Sequence, residues 1–260
     1  MTGTDTCLVA REDAILWITI NRPAAMNALD PATHRAMSDA LDAYAADPAL
    51  RVAIITGAGP RAFCVGSDLK ARAARNADDH PPTGFGGISH RFDLMKPVIA
   101  AINGIAIGGG LEIVAACDLA IAADHAEFAL PEPRVGLAAL GGGGLQRLAR
   151  ALPLKHAMDL VLTGRRIKAD EARAIGLINQ VVPAAELGAR ARAMARMIIE
   201  GAPLAIEASK QVMLQSLALP DLETALETTY PAAARMLASE DAKEGQRAFV
   251  EKRKPQWQGR

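Results

Sequence analysis

Between Ile105 and Ala122 the chain reads IAIGGGLEIVAACDLAIA, an apolar run that passes through three consecutive glycines and carries a glutamate into a second apolar run. Glycine gives up side-chain packing and backbone entropy in exchange for positive φ and close approach of other groups. A strand turning through glycines into a helix leaves unpaired N–H groups and the positive end of the helix dipole facing outward. Such an end can hold a phosphate or a developing oxyanion. The GxxxxGK[ST] loop is missing, and no GxGxxG opens this helix. An oxyanion site and simple tight packing of strand on helix therefore stand as the two readings of Gly108, Gly109 and Gly110. Glu112 adds a carboxylate where the pattern asks for hydrocarbon. It is either paired with the helix N-terminus or kept for chemistry, because an uncompensated buried carboxylate is costly.

A second stretch has the same outline. RAFCVGSDLKA (61–71) runs from apolar residues to Gly66, Ser67 and Asp68 before a helical run, which also fits an ordinary helix capped by Ser67 or Asp68. Ser67 has no GxSxG elbow around it and no histidine placed as its base, so nucleophilic catalysis is disfavoured. Glu132, between two prolines in EFALPEPRVG, is either a solvated loop residue or a second acid. Two carboxylates in different surroundings can divide proton transfer between them, but sequence spacing alone does not bring Glu112 and Glu132 together.

The surrounding pattern is that of an α/β chain. AILWITI (14–20) and RVAIITG (51–57) read as buried strands, PVIAAINGIAI (97–107) continues the strand character, and DLAIAA and AEFAL add two short strands. Between the first two lies a helix with Asp30 at its N-cap and Pro31 at its first position. Beyond about residue 145, charged segments with helical spacing dominate, with Pro203 and Pro220 near helix starts. Strand–helix alternation followed by a helical tail divides the chain into an α/β core and a C-terminal helical segment. The polar, Gly/Pro-rich piece 75–87 has the composition of a mobile loop beside a site.

Composition narrows the partners. The 29 Lys and Arg balance 29 Asp and Glu, and aromatic residues make up 3 %, which argues against a broad nucleic-acid surface or a base-stacking platform. The most apolar region, 97–123, is broken by Asn103, Glu112 and Asp118 and makes a poor membrane span. The N-terminal residues lack the pattern of a secretory signal. Cys7, Cys64 and Cys117 have no CxxC pairing and read as free thiols in a reducing compartment, so a cytoplasmic location is expected. His34, His80, His90, His125 and His156 show no metal-ligand spacing.

RAFCVGSDLK, PVIAAINGIAIGGGLEIVAACDLAIAA, FALPEPRVGL, LTGRRIKADEARAIGLINQVV and the closing FVEKRKPQW, in this order, resemble the enoyl-CoA hydratase/isomerase (crotonase) family. The likeness runs from about ILWITINRPAAMNAL to the C-terminus. It implies a spiral of repeated ββα units over residues 1–195 carrying the thioester site. It also implies a helical region, 196–260, that builds trimers or hexamers made as dimers of trimers. The implied substrate is an acyl-CoA thioester, coenzyme A being part of that substrate, with no metal and no further cofactor. The positions matching the family's two oxyanion amides are Ser67 and Gly109, and those matching its two catalytic glutamates are Glu112 and Glu132. Coenzyme A would lie along Ala24, Met26, Asp68 and Leu69, mainly against backbone, with Phe249 and Lys252 at its nucleotide end. Lys252 reads equally as a solvated helix lysine. The implied reaction is hydration of trans-2-enoyl-CoA to 3-hydroxyacyl-CoA. An isomerase or acyl-CoA hydrolase on the same scaffold, and an idle CoA-binding or assembly protein, are the alternatives. One departure falls after Glu132, where VGLAALGGGGLQRL lacks the proline many family hydratases carry and has one residue more; Gly142 and Gly143 are candidate donors to water there.

Overall fold

In a computed structural model, which describes residues 3–68 and 80–260, the chain forms two sheets wrapped by helices. Strands β1 (Cys7–Glu12), β2 (Ile15–Ile20), β3 (Val52–Gly57), β5 (Val98–Ile102), β7 (Leu119–Ala123) and β10 (Gln180–Val182) make the larger sheet, in that order. Strands β4 (Ala62–Cys64), β6 (Ile105–Ile107), β8 (Glu127–Ala129) and β9 (Ile167–Lys168) make the smaller one. The pattern behind this is a repeat. Each of the pairs β3/β4, β5/β6 and β7/β8 sends its first strand to the large sheet and its second to the small one. The chain thus spirals, and neighbouring turns pair in parallel within both sheets.

The central strands are buried on both faces, which is why they read as continuous apolar runs and do not alternate. Ala53, Ile55, Val98 and Ala100 face one core. Val52, Ile54, Ile99, Ile121 and Val182 face a second, covered by Leu187, Ala191 and Met194 of a helix spanning Leu187–Ile199. Helix α1 (Pro31–Ala46) begins as its sequence predicts, with Asp30 accepting the Thr33 amide at 2.8 Å.

Two features depart from the sequence reading. Residues 97–107 are two strands in different sheets, broken at Asn103–Gly104. The Asn103 side chain takes the Gly57 amide and donates to the carbonyls of Gly59 and Ala62, while an added Cβ at Gly104 would lie 2.4 Å from the Arg61 carbonyl. The corner is therefore built from contacts to residues far back in the chain. Strand β1 escapes the periodicity because it pairs on one edge only and stays partly exposed.

The small sheet positions the candidate site. β4, β6 and β8 lie side by side and parallel, so all three end at the same edge. In parallel α/β sheets such carboxyl ends are where ligands bind. From these ends run Gly66–Ser67–Asp68, Gly108 into helix α2 (Gly109–Ala116), and Pro131–Glu132. After a loop comes helix α3 (Gly144–Ala151). The C-terminal segment adds α4 (Leu154–Thr163), α5 (Ala169–Ala174), α6 (Leu187–Ile199), α7 (Pro203–Ser216), α8 (Leu222–Glu227), α9 (Pro231–Leu237) and α10 (Glu240–Val250). Among the described residues no helix is long and apolar enough to cross a membrane.

Candidate active site

The three glycines of the opening motif are required for three different reasons. Gly108 has φ +58° and ψ −128°, a conformation that L side chains rarely adopt. An added Cβ on Gly109 would sit 2.2 Å from Cζ of Phe85, and one on Gly110 would sit 1.9 Å from the Cys64 carbonyl oxygen. The turn is thus pressed against both β4 and the Phe85 ring. Gly109 opens α2, where an amide has no partner inside the helix. Among the described residues its N–H has no acceptor in the chain.

Ser67 presents a second amide by a different device. The Leu29 amide donates to the Gly66 carbonyl and the Asp68 amide donates to the Leu29 carbonyl, both at 2.8 Å, forming a parallel bridge centred on Leu29 and Ser67. Alternation along an extended segment turns the N–H of Ser67 away from that bridge. The Ser67 amide likewise has no acceptor among the described residues. The two segments meet: an added Cβ on Gly66 would be 3.1 Å from the Gly109 nitrogen. Two donor-bearing turns, about forty residues apart in sequence, therefore lie against each other at one sheet edge.

Glu112, in the first turn of α2, is 3 % exposed. Its Oε1 accepts the Gly144 amide at 2.9 Å, at the start of α3, so the carboxylate caps a second helix from outside. Gly142 closes over it, since an added Cβ there would be 2.6 Å from Cβ of Glu112 and 3.0 Å from Oε2. The glycine loop after Glu132 thus holds the glutamate. Gly142 closes over the glutamate by lacking a side chain and Gly144 donates to it; no spacing rule points to Gly144.

Glu132 opens the short 3-10 turn Glu132–Val135 and reaches back toward the glycine turn, so that an added Cβ on Gly108 would be 3.0 Å from its Oε1. Its Oε2 is buried and has no hydrogen-bond partner among the described residues. Burial raises its pKa above the ordinary carboxylate value, its own backbone amide opposes this, and the nearby charge of Glu112 raises it further. One carboxylate is hydrogen-bonded and held; the other is desolvated and biased toward keeping a proton.

The remaining sequence candidates divide. Ala24 and Met26 lie on the turn Pro23–Ala25 and just after it, joined to the Ser67 segment by Arg22, whose Nη2 bonds Asp68 Oδ2 at 2.9 Å. The Asp68 amide is already taken by Leu29. Leu69, and residues 75–79 of the polar loop, lie outside the described residues. Phe249, 86 % exposed, and Lys252, at φ +54°, sit at the end of α10. Among the described residues no hydrogen bond or ion pair ties either to the strand ends. Phe85, absent from the sequence candidates, forms a wall of the site against Gly109.

The fold and this edge of the sheet define a class. The sequence profile described as enoyl-CoA hydratase/isomerase matches residues 10–260, and the chain belongs to that family. Carnitinyl-CoA dehydratases are among its relatives. That of Salmonella arizonae is 45 % identical, the match covering 98 % of this chain and 99 % of the relative, and that of Salmonella typhi is 44 % identical, covering 97 % and 98 %. Solved enoyl-CoA hydratases share the fold. The one from Mycobacterium tuberculosis H37Rv has a TM-score of 0.92 at 40 % identity, and the one from Mycobacterium marinum 0.93 at 41 %; each match covers 99 % of this chain and 100 % of the other.

Proposed function

We propose that this protein is a hydro-lyase that adds water to, or removes it from, the Cα–Cβ bond of a coenzyme A thioester, with a trans-2-enoyl-CoA and its 3-hydroxyacyl-CoA as the pair. The observation that carries this reading is the meeting of two outward amides, Ser67 and Gly109, with two unlike carboxylates at one sheet edge. In hydration the thioester oxygen accepts from both amides. Water attacks Cβ as Glu112 takes its proton, and the π electrons move onto the thioester as an enolate. The enolate then takes the proton of Glu132 at Cα. Exchange with solvent returns a proton to Glu132 and frees Glu112. Each oxyanion donor is worth about 3 kcal/mol in the transition state, and each positioned acid or base roughly 10²–10⁴-fold. Ala24, Met26, Asp68 and Leu69 are proposed to line the coenzyme, with Phe249 and Lys252 at its nucleotide end.

A second reading takes carnitinyl-CoA as the substrate, which the names of the relatives favour. The bond chemistry is the same and the acyl group differs. The test is a panel of purified enoyl-CoAs of increasing length beside carnitinyl-CoA, with E132Q as control. The proposal expects turnover that drops at least about 100-fold in E132Q. Activity equal in E132Q and wild type sinks it. Product analysis with a 3-enoyl-CoA separates an isomerase.

We further propose self-association into trimers or hexamers through the C-terminal helices. Met213, Leu217, Leu222, Leu226 and Leu237, in or next to α7, α8 and α9, are each more than two-thirds exposed, and exposed apolar surface that is contiguous marks a protein–protein contact. Light scattering at the mass of a single chain overturns this.

A further inference from the structure

The turn that carries Phe85 is tied down more heavily than a surface connection requires. The Phe85 amide donates to Ser89 Oγ at 2.8 Å, and the Ser89 carbonyl accepts from Nη2 of Arg147 on α3 at 2.7 Å. Thr83 and Ser38 share a hydroxyl hydrogen bond of 2.7 Å. The Gly86 amide donates to Nδ1 of His34 at 2.9 Å. His34 lies on α1, is 2 % exposed, and meets the Phe85 ring edge-on with centroids 4.6 Å apart; His80 packs on both rings. Because Nδ1 accepts, the neutral His34 ring carries its proton on Nε2.

The other side of the Phe85 ring is Gly109. Three ring atoms lie within 2.8 Å of where a Gly109 Cβ would be, so the ring fills the place of a side chain and wedges against that Cα. The next residue is equally confined by the Cys64 carbonyl. The Gly109 N–H belongs to the peptide that joins Gly108 to Gly109; the carbonyl of that peptide accepts the Glu112 amide at 3.1 Å while the ring confines its Gly109 end, and an amide serves an oxyanion well only when its direction is set in advance.

We infer that His34 is a positioning residue for the Gly109 amide, acting through its hydrogen bond to Gly86 and the Phe85 ring. This rests on the oxyanion reading above. A cavity-filling role for His34 makes a different claim, because it needs a ring of the right size and no acceptor at Nδ1. The two are separable by substitution: H34F keeps a ring and loses the acceptor, whereas H34N keeps an acceptor near the Nδ1 position and loses the ring.

The readouts are the infrared carbonyl stretch of a thioester bound to the protein, with butyryl-CoA as the non-reacting probe, and kcat against KM for crotonyl-CoA. H34F is expected to lose much of the wild-type downshift of the carbonyl band and about tenfold in kcat, at nearly unchanged KM. H34N is expected to recover most of both. F85L provides the same test at the ring and is expected to weaken the downshift. A full wild-type downshift in H34F and F85L, or equal losses in H34N and H34F that follow thermal stability, overturns the inference. Should H34F fail to fold, F85L and H34N decide alone. If the wild-type protein binds butyryl-CoA with no downshift, the oxyanion reading fails and takes this inference with it. A wild-type downshift that survives both substitutions removes only the role of His34.

Discussion

Two glutamates in different regions of the chain show what it does with charge. Glu244, on α10, is enclosed by partners: Arg253 donates to both its oxygens, at 2.6 and 2.9 Å, and the Gln256 amide donates to Oε1 at 2.9 Å. Those bonds, led by the one from Arg253, hold its pKa down at about 2. Glu132, at the end of β8, has one oxygen against Gly108 and the other buried and unpartnered, and its pKa moves upward. The same region also satisfies Asp241, whose two oxygens accept the Gln258 and Gly259 amides. Among the described residues, the strand ends leave two amides without acceptors and one oxygen of Glu132 without a donor. A fold spends polar satisfaction where it needs permanence and withholds it where a ligand is to complete the set.

The comparison breaks hardest at Gly142. An added methyl meets Cβ and Oε2 of Glu112 together, so G142A is expected to cost on the order of 10²-fold in kcat, as displacement of a reacting group by a fraction of an ångström does. At Gly188 on α6 nothing lies within 4 Å of an added Cβ, and G188A is expected to leave kcat alone and to stabilise by up to about 1 kcal/mol. Steady-state kinetics with a denaturation midpoint on both variants checks the pair, and equal kinetics would remove the claim that the loop holds Glu112.

The two glutamates are expected to answer pH in opposite senses. The raised pKa of Glu132 means the folded state holds that proton more tightly than the unfolded chain. The stability it confers is full below the ordinary carboxylate range and is lost as pH rises through the folded value. E132Q is therefore expected to melt higher than wild type at neutral pH, with the gap closing as pH falls toward 4. Glu244 is the reverse. Its contribution is present above the ordinary range and is lost as pH falls from about 4.5 toward about 2. E244Q should melt lower than wild type at neutral pH and match it in strong acid, with Trp257 fluorescence reporting the tail, since its indole N–H donates to the Glu200 carbonyl. Melting curves of both variants across pH 2–8 decide the matter. Parallel curves for E132Q and E244Q would end the comparison.

Much of this was visible in the residues. Strands β2, β3 and β7, the cap of α1 and the glycine turn follow from local pattern, since burial on both faces, a side-chain cap and the absence of Cβ each leave a mark on adjacent positions. The hydrogen bond from Gly144 to Glu112 leaves no such mark. It spans 32 residues and depends on where a loop of glycines happens to close. Phe85 and His34 are ordinary core residues by every pattern rule, and their place beside Gly109 comes from packing of the 83–90 turn between α1 and α2. The break at Asn103 was hidden for a similar reason, because both halves of 97–107 are apolar and only the side-chain bonds to 57–62 separate them.

Strand β6 is three residues long, and its neighbours on either side are no longer. A slip of a single position along this ladder would carry Gly109 some 3.3 Å past Ser67 and turn every side chain to the opposite face. Phe63, Ala106 and Phe128, all wholly buried, act as the detents that forbid it. Alignment of the reacting groups to within a bond length is thus delegated to hydrocarbon that never touches a substrate, and a substitution at any of the three would mis-time the site without altering its chemistry.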